Sequence, residues 1–206
     1  MFAEKIPDCR FIQAIKVALK QHDGQKSLDG RPYISHCLEV AQLVCQFGGC
    51  NEAEIVAVLH DVLEDTQGYS QAKMEEDFGK EITQSVCLLT EPKGPWFVQK
   101  INYLRNITKA DDLTLLVCCC DKIHNLETIL SEYSKQREQV WERIGISKRQ
   151  KMGFYHLVCQ AAIKRVRQMP DVSKGVREAL DCLQRDYFYA CNVVGYDSFR
   201  DCQRSV

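Results

Sequence analysis

Four ionisable residues lie close together inside an otherwise apolar segment of the chain, Val56 to Gln67. They are His60, Asp61, Glu64 and Asp65. Burying a carboxylate is costly unless it is paired with a cation or bound to a metal. The segment therefore indicates either a metal site or a network of ion pairs with lysines and arginines from elsewhere in the chain.

Two further apolar segments each contribute a residue that can bind a metal. His36 lies near the start of YISHCLEVAQLV, and Asp121 ends the apolar run LLVCCCD. With His60 and Asp61 they supply two imidazoles and two carboxylates, a mixed ligand set that suits Mn²⁺, Fe²⁺ or Zn²⁺. A single histidine at a helix start is more often a cap or a surface residue, so it is the combination that favours a metal site.

The spacing of apolar residues predicts that helices position these groups. Apolar residues recur at intervals of three and four, and no segment shows the two-residue alternation of a strand. The predicted helices cover residues 9–22, 35–47, 51–66, 71–78, 80–90, 97–108, 111–130, 134–144, 148–168 and 172–190. The predicted N-caps are Asn51, Ser173 and either Asp111 or Asp112.

This pattern predicts an all-α fold. We expect one domain over residues 1–206, with a core at about 8–168 and a C-terminal helix and tail at 169–206. Residues 191–206 are compatible with either a docked or a loose tail.

The charge and composition of the chain exclude several classes of partner. The net charge is −1, so no overall basic field favours nucleic acid or an anionic membrane. The segment MFAEKIPDCR lacks the apolar centre of a signal peptide, and no apolar run approaches the roughly 18 residues of a membrane-spanning helix. We therefore expect a cytoplasmic protein that binds neither nucleic acid nor membranes.

Twelve cysteines are a high number for a chain of this size. Cys118 to Cys120 are consecutive, and Cys45, Cys87 and Cys159 lie in apolar helical segments. The sequence contains no CxxC pair, so a structural zinc site is not indicated. We expect reduced, buried cysteines that pack as small hydrophobic side chains.

The order of the candidate ligands resembles a known family signature. His36, His60-Asp61 and Asp121 are similar to the H…HD…D pattern of HD-domain metal-dependent phosphohydrolases. The segments HDGQKSLDGRPYISHCLEVAQLV, VLHDVLEDT, FGKEITQSVCLLTEPKGPW and LLVCCCDKIHNLETIL resemble those of the RelA/SpoT-type (p)ppGpp hydrolase domain and of its small single-domain alarmone hydrolase relatives. The resemblance covers residues 11 to about 168 and implies an all-α HD-domain helical bundle.

The resemblance also implies a role for each candidate residue. The implied ligands of one divalent metal ion, most simply Mn²⁺, are His36, His60, Asp61 and Asp121. Glu64 and Asp65 fall at the catalytic acidic pair, where either can orient a water molecule or take its proton. The implied substrate-binding residues are Lys26, Lys100, Asn125 and Thr128. His124, three residues after Asp121, is implied to pack near the ligands without being one.

The implied activity is removal of the 3′-pyrophosphate from guanosine 3′,5′-bis(diphosphate), a small-molecule nucleotide. Ser27 departs from the family pattern, because it stands where an arginine packs on the guanine base. Two alternatives follow: a phosphatase acting on a nucleoside monophosphate or NADPH, and a catalytically silent nucleotide-binding regulatory module. The residues after 168 are too few for a synthetase domain, so we expect hydrolysis without synthesis. An oligomer is compatible with the sequence.

Overall fold

The computed structural model describes residues 9–65 and 68–197, apart from the side chain of Asp65. These residues form α1 (Cys9–Gln21), α2 (Ile34–Gln46), α3 (Asn51–Leu59), α4 (Val62–Asp65), α5 (Gln71–Phe78), α6 (Lys80–Leu89), α7 (Trp96–Ile107), α8 (Asp112–Gln136), α9 (Gln139–Ile144), α10 (Lys148–Gln168) and α11 (Lys174–Val194). Within these ranges there is no strand, only an isolated bridge between Lys26 and Pro32. The predicted all-α fold is confirmed, and the predicted tail beyond residue 197 lies outside the described residues.

The helix α8 is the centre around which the other helices pack. It contacts α2, α3, α6, α7, α9 and α11, and every residue from Thr114 to His124 is buried. A helix buried on all its faces is surrounded by other elements. Asp121 and Lys122 therefore carry their charges in the interior of the protein, away from water.

Side chains fix where several helices begin. The Asp111 carboxylate accepts a hydrogen bond at 2.8 Å from a backbone amide in the first turn of α8. The Ser173 hydroxyl accepts one at 3.2 Å from a backbone amide in the first turn of α11. Both predicted caps are confirmed. The predicted N-cap at Asn51 is wrong. The N-cap residue of α3 is Cys50, whose side chain makes no capping hydrogen bond.

The predicted helix over residues 51–66 is interrupted in its middle. The helix α3 ends at Leu59, His60 and Asp61 form a turn, and α4 begins at Val62. Neighbours on a continuous helix point about 100° apart. Both His60 and Asp61 nevertheless face one point in the interior, with 3.0 Å between Nε2 of His60 and Oδ2 of Asp61.

None of the eleven cysteines in the described part of the chain forms a disulfide bond. The buried ones are Cys37, Cys118, Cys119, Cys120, Cys159 and Cys191. These pack as small hydrophobic residues, and burial raises the pKa of the Cys118 thiol to about 11. The expectation is wrong for Cys45, which is exposed on α2, and for the exposed Cys9 and Cys50.

Across residues 9–65 and 68–197, no helix is both long and apolar enough to cross a membrane.

The first turn of α11 packs directly on the backbone at the end of α2. A Cβ atom at Gly175 would lie 2.1 Å from the carbonyl oxygen of Phe47. This oxygen belongs to the backbone, so it cannot rotate away as a flexible side chain would.

We predict that Gly175→Ala destabilises the protein by about 1–3 kcal/mol, because its methyl group overpacks this contact. Urea unfolding followed by circular dichroism measures the change. Gly153→Ala is the matched control, since Gly153 is also helical and its Cβ would meet only the Tyr196 hydroxyl at 3.5 Å. Alanine is favoured over glycine in helices by roughly 0.5–1 kcal/mol, so the control should be at least as stable as the wild type. Equal stability of the two variants would contradict the close contact.

Candidate metal centre and adjoining cleft

Three parts of the chain bring the predicted metal ligands to one point in the interior. His36 comes from α2, His60 and Asp61 from the turn between α3 and α4, and Asp121 from α8. The Nε2 atom of His36 lies 3.2 Å from Nε2 of His60 and 3.3 Å from Oδ1 of Asp121. One ligand atom from each of His36, His60 and Asp121 lies within 4.8 Å of the others, a spacing that one metal ion can bridge.

Asp61 faces the same point. Its Oδ2 atom lies 3.0 Å from Nε2 of His60 and 3.7 Å from Nε2 of His36. The same oxygen accepts a hydrogen bond from the Tyr33 hydroxyl at 2.6 Å, a partner that the sequence pattern did not indicate. Asp61 is therefore placed to act as a fourth ligand, with Tyr33 fixing the orientation of its carboxylate.

The surroundings of the two carboxylates of this centre favour their ionised forms. Burial acts to raise the pKa of Asp61, but His60 holds it below its usual range. The pKa of Asp121 is also well below its usual value, because Lys122 and the two histidines outweigh burial. The carboxylates in turn outweigh burial at His60 and raise its pKa well above the usual value. Such an arrangement favours a positive charge between the four side chains, and a divalent metal ion fits this requirement.

Three hydrogen bonds orient the ligands from behind. Nδ1 of His60 lies 2.8 Å from the carbonyl oxygen of Ala57, so it donates there and Nε2 is directed to the centre. Nζ of Lys122 donates to Oδ2 of Asp121 at 2.5 Å, and the Asn125 amide donates to Oδ1. Asn125, predicted to bind the substrate, thus also orients a candidate ligand.

The predicted catalytic acids lie on α4, directly after the turn. Oε2 of Glu64 accepts a hydrogen bond at 2.9 Å from the backbone amide of Glu91, so this carboxylate is anchored to the segment between α6 and α7. The side chain of Asp65 lies outside the described residues. The catalytic role of both acids stays a prediction.

A cleft of about 380 Å³ adjoins the centre. Its lining residues are Lys26, Ser27, Leu28, Tyr33, His36, His124, Asn125, Thr128, Ile129, Arg143, Ile144 and Lys151. Because Tyr33 and His36 belong to both the centre and the cleft, a ligand in the cleft lies next to the centre. Three of the predicted substrate-binding residues, Lys26, Asn125 and Thr128, line it.

The fourth predicted substrate-binding residue, Lys100, does not line this cleft. Its ammonium group pairs with Glu91 and lies 4.7 Å from the centre of the Phe154 ring. Burial lowers the pKa of Lys100, and Glu91 opposes this effect. Since the backbone of Glu91 holds Glu64, Lys100 lies on the side of the acidic pair.

Two cations in the cleft, Arg143 and Lys151, were not indicated by the sequence. Arg143 pairs with Glu132 at 2.9 Å and donates to the carbonyl oxygen of Leu28, so it ties α9 to the loop before α2. The ammonium group of Lys151 forms no hydrogen bond or ion pair with the described residues, and it lies 5.2 Å from the centre of the Tyr155 ring. Burial, together with the charge of Lys122, lowers its pKa to about 8. A lone cation on a helix is usually a surface residue, so no local signal separates these two from the others.

Comparison with known proteins agrees with this geometry. The HD domain family matches residues 14–146. A guanosine-3′,5′-bis(diphosphate) 3′-pyrophosphohydrolase of Haemophilus influenzae is 29% identical over 131 residues, covering 60% of this chain and 19% of that protein. The GTP pyrophosphokinase rsh of Brucella ovis is 37% identical over 125 residues, covering 57% of this chain and 16% of that protein. The chain spans less than a fifth of the length of these relatives.

Solved structures share the fold. A metazoan ortholog of SpoT, described as hydrolyzing ppGpp, aligns with a TM-score of 0.66 at 20% identity over 88% of this chain and 97% of that chain. A crystal structure from Listeria monocytogenes aligns with a TM-score of 0.65 at 20% identity over 75% of this chain and 97% of that chain. The family match extends over residues 14–146, more than half of the chain, and includes every candidate ligand from His36 to Asp121. The chain therefore belongs to the HD domain family.

Proposed function

We propose that this protein is a metal-dependent phosphohydrolase that removes the 3′-pyrophosphate from guanosine 3′,5′-bis(diphosphate). The observation that carries the proposal is the continuity between the buried centre and a cleft that contains the cations Lys26, Arg143 and Lys151. A nucleotide with two diphosphate groups suits such a cleft, because one group can reach the centre while cations bind the other. The name of the Haemophilus influenzae relative and the description of the metazoan SpoT ortholog support this substrate.

The proposed cofactor is one divalent metal ion, most simply Mn²⁺, with Fe²⁺ and Zn²⁺ as alternatives. Its proposed ligands are His36, His60, Asp61 and Asp121. When bound, such an ion polarises a phosphoryl oxygen and lowers the pKa of water. The hydrogen-bond partners behind the ligands keep the side chains turned to one point, which reduces the cost of ordering them around the ion.

We propose that Glu64 and Asp65 position the attacking water and accept its proton. The Glu91 amide fixes the direction of the Glu64 carboxylate, which lies on the short helix that follows the ligand turn. In the reaction the water oxygen joins the phosphorus, and the bond between that phosphorus and the 3′ oxygen breaks. The acidic pair takes the proton of the water and returns it to the leaving 3′ oxygen.

The cleft also offers an apolar wall for a base, formed by Leu28, Ile129 and Ile144. Ser27, which stands in place of the base-packing arginine, donates its hydroxyl to Asp29. The base is therefore expected to meet aliphatic side chains and no guanidinium at this position. This observation favours one second candidate, a phosphatase acting on another nucleotide such as a nucleoside monophosphate or NADPH.

The alternative from another class is a catalytically silent nucleotide-binding module. The anchored Glu64, four residues after His60 of the clustered His36, His60 and Asp121, supports an enzyme instead. We further propose a single HD domain over residues 1–206 that acts in the cytoplasm on a small nucleotide, without nucleic acid or membrane partners. The net charge of −1 supports the absence of polyanionic partners.

A nucleotide panel assayed with Mn²⁺ tests the reaction. We expect guanosine 3′,5′-bis(diphosphate) to be hydrolysed with release of pyrophosphate, detected separately from phosphate. Release of phosphate from NADPH or a nucleoside monophosphate, without pyrophosphate from the alarmone, would favour the second candidate. Binding of a nucleotide without turnover of any panel member at saturating Mn²⁺ would favour the silent module.

Glu64→Gln and Asp65→Asn are expected to retain metal while kcat falls about 10²–10⁴-fold, the usual effect of removing a group that transfers a proton. The double variant should lose little more than the worse single one if the two acids act together. Asp121→Ala is the contrasting variant, because it removes a proposed charged ligand and should lose both metal and activity. Metal content and kcat are measured on the same preparations. A metal-free double variant, or a metal-loaded one with normal kcat, would show that these acids have other roles.

Lys151 is predicted to bind a substrate phosphate as an ammonium ion. Its pKa, lowered to about 8 by burial and by Lys122, means that it is charged below this pH and neutral above it. We therefore expect kcat/KM to fall as the pH rises through the pKa of Lys151, about 8. Lys151→Met should lower kcat/KM roughly 10- to 100-fold at neutral pH, since a charged hydrogen bond contributes about 1.5–3 kcal/mol.

The matched control is Lys151→Arg, which stays charged throughout this range. Its pH profile should lack the alkaline decline of the wild type. The same decline in both proteins would show that another group causes it.

A further inference from the structure

The two ring nitrogens of His36 have different partners. Nε2 faces the candidate ligands His60 and Asp121, at 3.2 Å and 3.3 Å. Nδ1 lies 2.8 Å from Nδ1 of His124 on α8. Two imidazole nitrogens at this distance form a hydrogen bond only if one carries a proton and the other does not. His124 is therefore the residue that holds the His36 ring from behind.

The second nitrogen of His124 contacts a carboxylate. Nε2 of His124 lies 2.6 Å from Oε2 of Glu39. An ionised carboxylate can only accept, so Nε2 of His124 carries a proton and donates it. In the neutral ring Nδ1 of His124 then has no proton and accepts from Nδ1 of His36. In the neutral His36 ring this leaves Nε2 unprotonated, as a metal ligand must be, and it does so against the competing acceptor Oδ1 of Asp121 at 3.3 Å.

Glu39 is held in its ionised form at the surface. Arg31 donates to both of its carboxylate oxygens, at 2.6 Å and 3.0 Å, and Arg31 is itself paired with Asp29. The hydrogen bond from Arg31 is the main cause of the lowered pKa of Glu39. The Glu39 side chain is 35% exposed, whereas the His36 side chain is 5% exposed. The hydrogen-bond chain therefore runs from the solvent-facing side of α2 to the buried centre.

We propose that Glu39, acting through His124, is a positioning residue for the metal centre. It keeps a proton on Nδ1 of His36 and so directs Nε2 of that ring toward the metal. The inference rests on the proposed function only in placing a metal at this centre. His60 has a simpler arrangement, because the backbone carbonyl of Ala57 accepts from its Nδ1. A side-chain acceptor can be replaced by substitution, so the arrangement at His36 can be tested directly.

The proton positions can be read in the metal-free protein. The chain has five histidines, and two-bond ¹H–¹⁵N correlation spectra near neutral pH distinguish protonated from unprotonated ring nitrogens. Single His→Gln substitutions assign the signals. We expect a proton on Nδ1 of His36 and none on Nδ1 of His124. A proton on Nδ1 of His124 in the wild-type protein would overturn the proposal.

Substitutions at Glu39 test the consequence for metal binding. Glu39→Leu removes the acceptor of the His124 proton. This proton is then no longer confined to Nε2 of His124. It can move to Nδ1 of His124, which then no longer accepts the proton of His36 Nδ1. Mn²⁺ affinity, measured by calorimetric titration, is then expected to fall about 10- to 100-fold. Glu39→Gln retains an oxygen that accepts from His124, so its affinity and its His124 signals should stay close to wild type. Gln42→Leu is the matched control, because Gln42 lies about one turn further along α2 and lines a second cavity that Glu39, Arg31 and His124 also line.

Three outcomes separate this proposal from the proposed function. Loss of Mn²⁺ affinity and a shifted His124 proton in Glu39→Leu, with both normal in Glu39→Gln, would support the hydrogen-bond chain. Equal loss of affinity in the Leu and Gln variants, with the His124 proton unmoved, would overturn it. Wild-type protein with the expected tautomers but no Mn²⁺ binding would contradict the proposed function while supporting the proton assignment.

Discussion

The burial of charge inside an apolar bundle is the constraint on which the rest of this structure depends. Asp121 lies in a stretch of α8 that is buried on every face, where an unpaired carboxylate would strongly destabilise the fold. Lys122 and Asn125 donate to its two oxygens, and His36 and His60 face it from two other elements. A divalent ion held by these side chains would add further positive charge beside the carboxylates. The residues of the centre therefore neutralise the charge of Asp121 in the core, in addition to any role in binding a metal.

The turn between α3 and α4 contributes two of the candidate ligands. His60 and Asp61 lie in this turn, and both face ligand residues from α2 or α8. At this point Tyr33, which lies in the loop before α2, donates a hydrogen bond to the carboxylate of Asp61. Residues of the loop before α2, from Lys26 to Tyr33, also line the cleft beside the centre. The segment before α2 therefore contacts both the candidate ligands and the cleft.

The sequence by itself determined the fold class, the family and the candidate metal ligands. Apolar periodicity is a local property of each segment, and helices with one buried face must pack on one another. The caps at Asp111 and Ser173 were predictable for the same reason, because a cap depends on residues within a single turn. The order of His36, the His60-Asp61 pair and Asp121 was informative because metal ligands tolerate few substitutions of chemical type.

Only the tertiary structure decided which cations line the cleft and how the ligands are oriented. Arg143 and Lys151 lie far from the ligands in sequence, and a lysine or arginine on a helix has the same local pattern whether it faces water or a cavity. Lys100 shows the converse, since its pairing with Glu91 turns it away from the cleft. The link from Glu39 to His36 joins α2 to α8 through a histidine 85 residues away from Glu39. These features depend on long-range contacts and on proton positions, which the types and spacing of residues along the chain do not specify.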